Sequence, residues 1–375
     1  MTTIGVVQPT RTPQGLINSA ANFQEKVPAC FDSIRSQFKA WLDDFLLFAK
    51  TEPLLLVLLR IFLQTCRRRN LIISLPKSLF FTKEAQWCGR IIDADGVRMN
   101  PKNYEGITNG GPPQTGAELC QYVNAMTWIS NSIPCFAQVI APLRALLEKA
   151  YAATGGKRTK TSIANINLKS INWDESHDQS FKSLQTQVQK CIKLSHRDPT
   201  MTLCVHTDAS DFFWAVAVTQ CVPSELKKPT LDQMHQPLAF LSGKFTLREM
   251  HWTTYEREAY AIVQAFKRLE YSLTCDSTTI IFTDHRNLLF VFNPLTMIPS
   301  LGRHTVLKVI RWALYLSSFQ YRIEHVDGDS NLWPDMMTRW LQGYRNVNKQ
   351  ARISRVSSKL GFDGIPESRL TDDFA

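Results

Sequence analysis

Asp208, Glu258, Asp284 and Asp335 are acidic residues in four different local settings: His206-Thr-Asp-Ala-Ser210, Glu256-Arg-Glu-Ala-Tyr-Ala-Ile262, Phe282-Thr-Asp-His-Arg-Asn287 and Asn331-Leu-Trp-Pro-Asp335. Carboxylates supplied from several elements suit phosphodiester hydrolysis. Two divalent cations about 3.5–4 Å apart can clamp the attacking and leaving oxygens. Hard cations such as Mg²⁺ (or Mn²⁺) take oxygen ligands and bind jointly with substrate phosphates. Four close carboxylates repel one another unless cations neutralise them, so convergence would itself imply metal. Singly, an Asp at a strand end or helix start is an ordinary turn or cap residue. The joint order of strand Asp, helix Glu, strand Asp and helix Asp is the signal.

The elements around these acids are expected to present them together. Thr202 to Thr207, Phe213 to Val222 and Pro237 to Ser242 read as strands, and Tyr255 to Leu269 as a helix. Thr278 to Thr283 is a strand, Leu301 to Ser317 a helix, Phe319 to Val326 a strand and Leu332 to Leu341 a final helix. Three leading strands followed by alternating helices and strands predict an α/β (α+β) domain, a mixed sheet with helices packed on it. The strand ends Thr207-Asp208 and Thr283-Asp284 would lie at one end of that sheet, with Glu258 leaning over from the helix.

Upstream, Asn18 to Phe31 and Leu54 to Arg69 read as helices. Phe38 to Phe48 reads as two short strands around Asp43-Asp44. The apolar runs Leu71 to Leu75 and Trp87 to Ile92 have strand character. Gly116 to Lys149 is helical, punctuated at Pro134 and Pro142, and Asp174 to Cys191 is helical. Ala153 to Thr161 is a basic, polar loop, and the residues beyond Gln342 lack periodicity and read as a loosely ordered tail.

With 44% hydrophobic residues in 375, two or three real cores are possible. The net charge of +10 suits a polyanionic partner, because Lys and Arg that neutralise phosphates release condensed counterions. The nine cysteines are scattered without a CxxC pair. That indicates neither zinc nor a disulfide framework, and fits a reducing compartment. The apolar stretch Leu54 to Leu63, interrupted by Arg60, is shorter than the roughly 20 residues of a membrane span. The start has no signal-peptide pattern. An intracellular protein, cytoplasmic or nuclear and not secreted, is expected.

Residues 197–341 resemble the ribonuclease H domain of gypsy-type long-terminal-repeat retrotransposon Pol polyproteins. The matching segments are Thr207-Asp-Ala-Ser210, Pro237-Leu-Ala-Phe-Leu-Ser242, Thr254-Tyr-Glu-Arg-Glu-Ala-Tyr-Ala-Ile-Val263, Phe282-Thr-Asp-His285 and Asn331-Leu-Trp-Pro-Asp-Met-Met-Thr-Arg339. The resemblance implies that Asp208, Glu258, Asp284 and Asp335 bind the metals and that the RNA strand of an RNA–DNA hybrid is cut. His325 and Asn331 stand ten and four positions before Asp335, at offsets where retroviral relatives carry a His and an Asn. That implies an auxiliary catalytic role for His325 and a nucleic-acid contact for Asn331. His206 and His285 read as structural or supporting residues. The family usually has a small residue before the last carboxylate, where this chain has Trp333-Pro334. Pro is tolerated in a first helical turn.

The first hundred residues resemble part of the family's reverse transcriptase palm. Trp41-Leu-Asp-Asp44 is similar to its aromatic-x-Asp-Asp hairpin. Pro9 to Gln24, with Pro13-Gln-Gly15 inside it, resembles the segment that opens the helix under the templating base pair, and that resemblance implies nucleic-acid contacts for Gln14 and Gly15. Leu75 to Phe81 and Trp87 to Gly96 resemble the palm and primer-grip motifs that follow. The family's first catalytic Asp and its fingers precede that region and are not in this sequence. Asp43 and Asp44 are therefore expected to be a remnant, with RNA-directed DNA polymerase activity lost. The implied division is 1–100 partial palm, 101–196 thumb and connection, 197–341 ribonuclease H and 342–375 tail. The alternative expectation is a catalytically silent nucleic-acid-binding relic.

Overall fold

The computed structural model describes residues 16–338, apart from 103, 104, 106–109, 274–277, 293–302, 329, 332, 333, 335 and 336. Gln14, Gly15, Asp335, most of the final helix and the tail lie outside the described residues. The chain divides into two compact units between Ala94 and Asp95.

In the first unit, α1 (Ser19–Ala29) and α2 (Glu52–Arg69) flank a hairpin of β1 (Phe38–Trp41) and β2 (Asp44–Leu47). Leu58, Phe62, Thr65 and Cys66 recur at helical spacing along α2 and form its buried stripe. Phe62 meets Phe31, Phe38 and Phe45 in a four-ring core, with Phe31 and Phe38 centroids 4.4 Å apart. Asn70 ends α2 in a left-handed cap at φ 56°. The run Leu71 to Leu75 is not a strand. Ile72 is 95% exposed, and Pro76 turns the chain into a short 3-10 segment, so this run finds no partner edge. Trp87 to Ile92 also does not form one strand. It folds as a hairpin of β3 (Ala85–Trp87) and β4 (Arg90–Asp93), because Cys88 (φ 49°) and Gly89 (φ 74°) make a two-residue turn.

The second unit begins with β5 (Gly96–Met99) and three helices, α3 (Gly116–Ile129), α4 (Phe136–Ala153) and α5 (Glu175–Gln189). Thr115 caps α3, and Asp174 caps α5 with a reciprocal contact from His177. The chain breaks between α3 and α4 around Pro134 as expected. Pro142, by contrast, lies inside α4. It supplies no N–H to the preceding turn, but Leu143, Leu146 and Leu147 beside it are buried and carry the helix through.

A five-stranded sheet follows, in the order β10-β9-β6-β7-β8. Its strands are β6 (Thr202–Ala209), β7 (Phe213–Cys221), β8 (His235–Lys244), β9 (Thr279–Thr283) and β10 (Tyr321–His325). The first three are antiparallel neighbours, and β9 and β10 add on in parallel. Period-two alternation gives the sheet two different faces. Leu203, Val205, Val216 and Val218 pack against α6 (Thr254–Arg268) and α7 (Arg303–Leu316). Ala215, Ala217 and Phe240 face the other way and share a core with Leu119, Ile140, Leu143 and Leu184 of α3, α4 and α5. The mixed α/β architecture matches the expectation, with helices on both faces.

Candidate metal centre

The site is built where β6 and β9 end. These parallel strands pair His206 with Phe282, and two residues further along each come Asp208 and Asp284. The third acid arrives from α6. Glu258 lies on the same helical stripe as Ala261, Ile262 and Ala265, all fully buried against the sheet. The two alanines let the helix approach closely, and Glu258 Oε1 accepts the main-chain N–H of Ala209 at 3.0 Å.

Asp208, Glu258 and Asp284 each offer a carboxylate oxygen within 4.8 Å of the others. Asp208 is 1% exposed and Glu258 3%, while Asp284 is half-buried. Three negative charges this close, two of them shielded from water, are a poor arrangement without a cation and a good ligand set for a hard one. The donor set fits Mg²⁺ or Mn²⁺: all oxygen, with no Cys or His among the three.

The chain after β10 closes over the site. His325 pairs with Thr283, so it stands beside the strand end that carries Asp284, and the Val326 N–H donates to the Thr283 carbonyl at 3.0 Å. Gly328 passes close to Asp284, with room for a methyl only at 3.4 Å from Oδ2. Asn331 is 2% exposed, and its amide donates to the Thr207 carbonyl at 2.8 Å. Its burial does not support the expected duplex contact; Asn331 pins this segment to β6. Thr338, three positions after Asp335, donates its hydroxyl to Asp208 Oδ2.

His206 stacks on Phe282 at 4.7 Å and meets the His235 ring edge-on at 5.0 Å. Burial, helped by His235, holds it well below the ordinary imidazole range, so it is a neutral core residue. His285 is also lowered by burial, with the neighbouring Asp284 pulling the other way.

In the first unit, Asp43 and Asp44 sit exposed at the tip of the β1–β2 hairpin, with Leu42 at φ 49° in the turn. Gln24 of α1 holds that tip, accepting the Leu42 N–H at 2.7 Å and donating to the Ala40 carbonyl at 2.9 Å. Among the described residues no third metal-ligating side chain joins the pair.

Sequence reasoning missed Thr338 and Gln138. Thr338 lay within the quoted Asp-Met-Met-Thr-Arg segment but was given no role. Gln138, 2% exposed on α4, donates to the Met337 carbonyl at 2.6 Å. An amide inside the apolar run Phe136-Ala-Gln-Val-Ile140 was the available signal, since a buried amide requires a partner.

Two families match the chain: reverse transcriptase (RNA-dependent DNA polymerase) over residues 2–92, and the RNase H-like domain found in reverse transcriptase over residues 198–319. The chain is 26% identical over 330 residues to the retrovirus-related Pol polyprotein from transposon opus of Drosophila melanogaster, covering 88% of this chain and 30% of that protein. It is 23% identical over 372 residues to the transposon Tf2-3 polyprotein of Schizosaccharomyces pombe, covering 99% of this chain and 25% of that one. It therefore spans under a third of the length of either relative. The foamy viral protease-reverse transcriptase in complex with dsDNA shares the fold, with TM-score 0.66, 21% identity, and coverage of 85% of this chain and 60% of that one. The same viral enzyme in complex with RNA/DNA hybrid also gives 0.66 at 21% identity, covering 85% of this chain and 39% of that one. This chain thus joins a reverse transcriptase region to an RNase H-like region, and the relatives it is similar to are retrotransposon Pol polyproteins.

Proposed function

We propose that this chain is a ribonuclease H of the gypsy type, cutting the RNA strand of an RNA–DNA hybrid at the Asp208–Glu258–Asp284 cluster. The observation that carries the reading is the convergence of three carboxylates within 4.8 Å of one another, from two parallel strand ends and one helix. Asp335 is proposed as the fourth carboxylate and His325 as an auxiliary group beside Asp284. Bound Mg²⁺ or Mn²⁺ would supply the positive charge that a phosphodiester needs to be cleaved. The chain's own part is to hold the acids aimed. The Ala209 N–H fixes Glu258, Thr338 fixes Asp208, and the buried cluster keeps bulk water from loosening either. Residues 1–100 are read as palm, 101–196 as thumb and connection, and 197–341 as the nuclease.

The test is cleavage of a labelled RNA–DNA hybrid with Mg²⁺ or Mn²⁺, comparing the chain with Asp208→Asn. Cleavage by the first alone supports the reading, and equal rates remove it. Hybrid binding without cleavage by either would instead support a silent binding relic, which the net charge of +10 favours as a binder.

A further inference from the structure

Helix α4 lies on the face of the sheet opposite α6, and its first turn is tied to the nuclease fold by polar contacts. The Ala137 N–H, which has no partner within the helix so near its start, donates to Ser242 Oγ at 3.1 Å. One residue on, the buried Gln138 amide donates to the Met337 carbonyl at 2.6 Å. Met337 is 1% exposed, in the same core as Ala215, Ala217 and Phe240. The next residue, Thr338, donates its hydroxyl to Asp208 Oδ2. A continuous path thus runs from the Gln138 amide, through one peptide unit, to a carboxylate of the cluster.

We infer that Gln138 is a positioning residue for the metal cluster, setting the aim of the Asp208 carboxylate through Met337 and Thr338. The inference rests on the ribonuclease H reading of that cluster, and it makes a helix outside the nuclease domain a working part of the site. The residue type is suited to the task. Only a donor can hold a main-chain carbonyl, and a cationic donor would place positive charge where the acids must attract cations. A leucine of similar size fills the volume but leaves the Met337 carbonyl without this bond. The segment carrying Thr338 could then shift, and Asp208 Oδ2 would lose its fixed donor. Groups that orient metal ligands in this way typically contribute roughly 10–100-fold in metal affinity.

The experiment measures Mn²⁺ binding by calorimetry, together with metal-free melting, on the full chain and on Gln138→Leu, Thr338→Val, Thr338→Ser and the Gln138→Leu/Thr338→Val double variant. Gln138→Leu and Thr338→Val are each expected to weaken Mn²⁺ binding roughly 10–100-fold, and Thr338→Ser to bind like the parent. The double variant is expected to be no weaker than the worse single one, because both act along one path. Parental Mn²⁺ affinity in a folded Gln138→Leu, or fully additive losses in the double, would overturn the inference. If Gln138→Leu does not fold, the Thr338→Val and Thr338→Ser contrast decides, with equal affinities overturning it. Asp208→Asn separates this from the underlying reading. Loss of Mn²⁺ there, with none in Gln138→Leu, sinks only the positioning role, whereas retained Mn²⁺ binding in Asp208→Asn sinks both.

Discussion

The Ala209 N–H donates to Glu258 Oε1 at 3.0 Å, so the strand that carries Asp208 also holds the second carboxylate of the cluster. Glu258→Gln keeps an oxygen that can accept this bond and removes one negative charge from a buried group of three. Metal-free melting of the variant is expected to rise by a few degrees as repulsion falls, while hybrid cleavage drops by more than roughly 100-fold, beyond what supporting residues contribute. A lower metal-free melting temperature would show that repulsion does not dominate there.

Divalent cations should stabilise the parent chain and not Asp208→Asn. A cation at a hundred times its dissociation constant adds about 2.7 kcal/mol to a fold that alone binds it. Thermal melting with and without Mn²⁺ checks this, and an equal shift in both proteins would place the cation elsewhere.

His235 predicts an acid weakness of the sheet. Burial pushes its imidazole down to about 4 in the folded chain, against about 6.5 when unfolded. Between those values unfolding takes up a proton. The stability it supports is therefore whole above about pH 6.5 and is lost as pH falls toward 4, at a slope of up to about 1.4 kcal/mol per pH unit. Urea unfolding across that window should show His235→Gln less pH-sensitive than the parent, with parallel curves counting against the assignment.

Gly243→Ala should destabilise the five-stranded sheet. Gly243 pairs with Trp214, and a Cβ there would come within 2.5 Å of the indole ring. The ring packs among Arg268 and Tyr260, so relief requires moving several groups. Chemical denaturation should register a loss of about 1–3 kcal/mol; an unchanged midpoint would mean that the ring relocates freely.

Hybrid affinity should fall steeply with salt. A protein that neutralises several phosphates loses orders of magnitude in binding between about 50 and 200 mM salt. Fluorescence anisotropy on a labelled hybrid reads this directly, and a flat response would argue against backbone-dominated binding.

Much of this molecule was legible in its residues. Val205, Val216 and Val218 alternate as sheet residues must. The helix expected over Tyr255 to Leu269 is α6, shifted by one residue, and Asp43-Asp44 marks a tight hairpin. Local periodicity and capping chemistry act over a few residues, so they survive in one dimension. The run Leu71 to Leu75 read wrongly because an apolar run says nothing of whether an edge awaits it, whereas Trp87 to Ile92 has strand character but folds back on itself at Cys88-Gly89. Pro142 read wrongly because burial of its neighbours outweighs a missing hydrogen bond.

What the residues alone determined was the set of acids and the elements bearing them. The tertiary structure decided that Asp208, Glu258 and Asp284 meet, since parallel pairing of β6 with β9 and the small side chains of α6 act between positions far apart in sequence. It also decided that Asn331 turns inward and that Gln138, from a helix well before the sheet, reaches the segment holding Asp208. Such contacts come from burying polar groups together. Each needs a partner that only the folded chain can bring near.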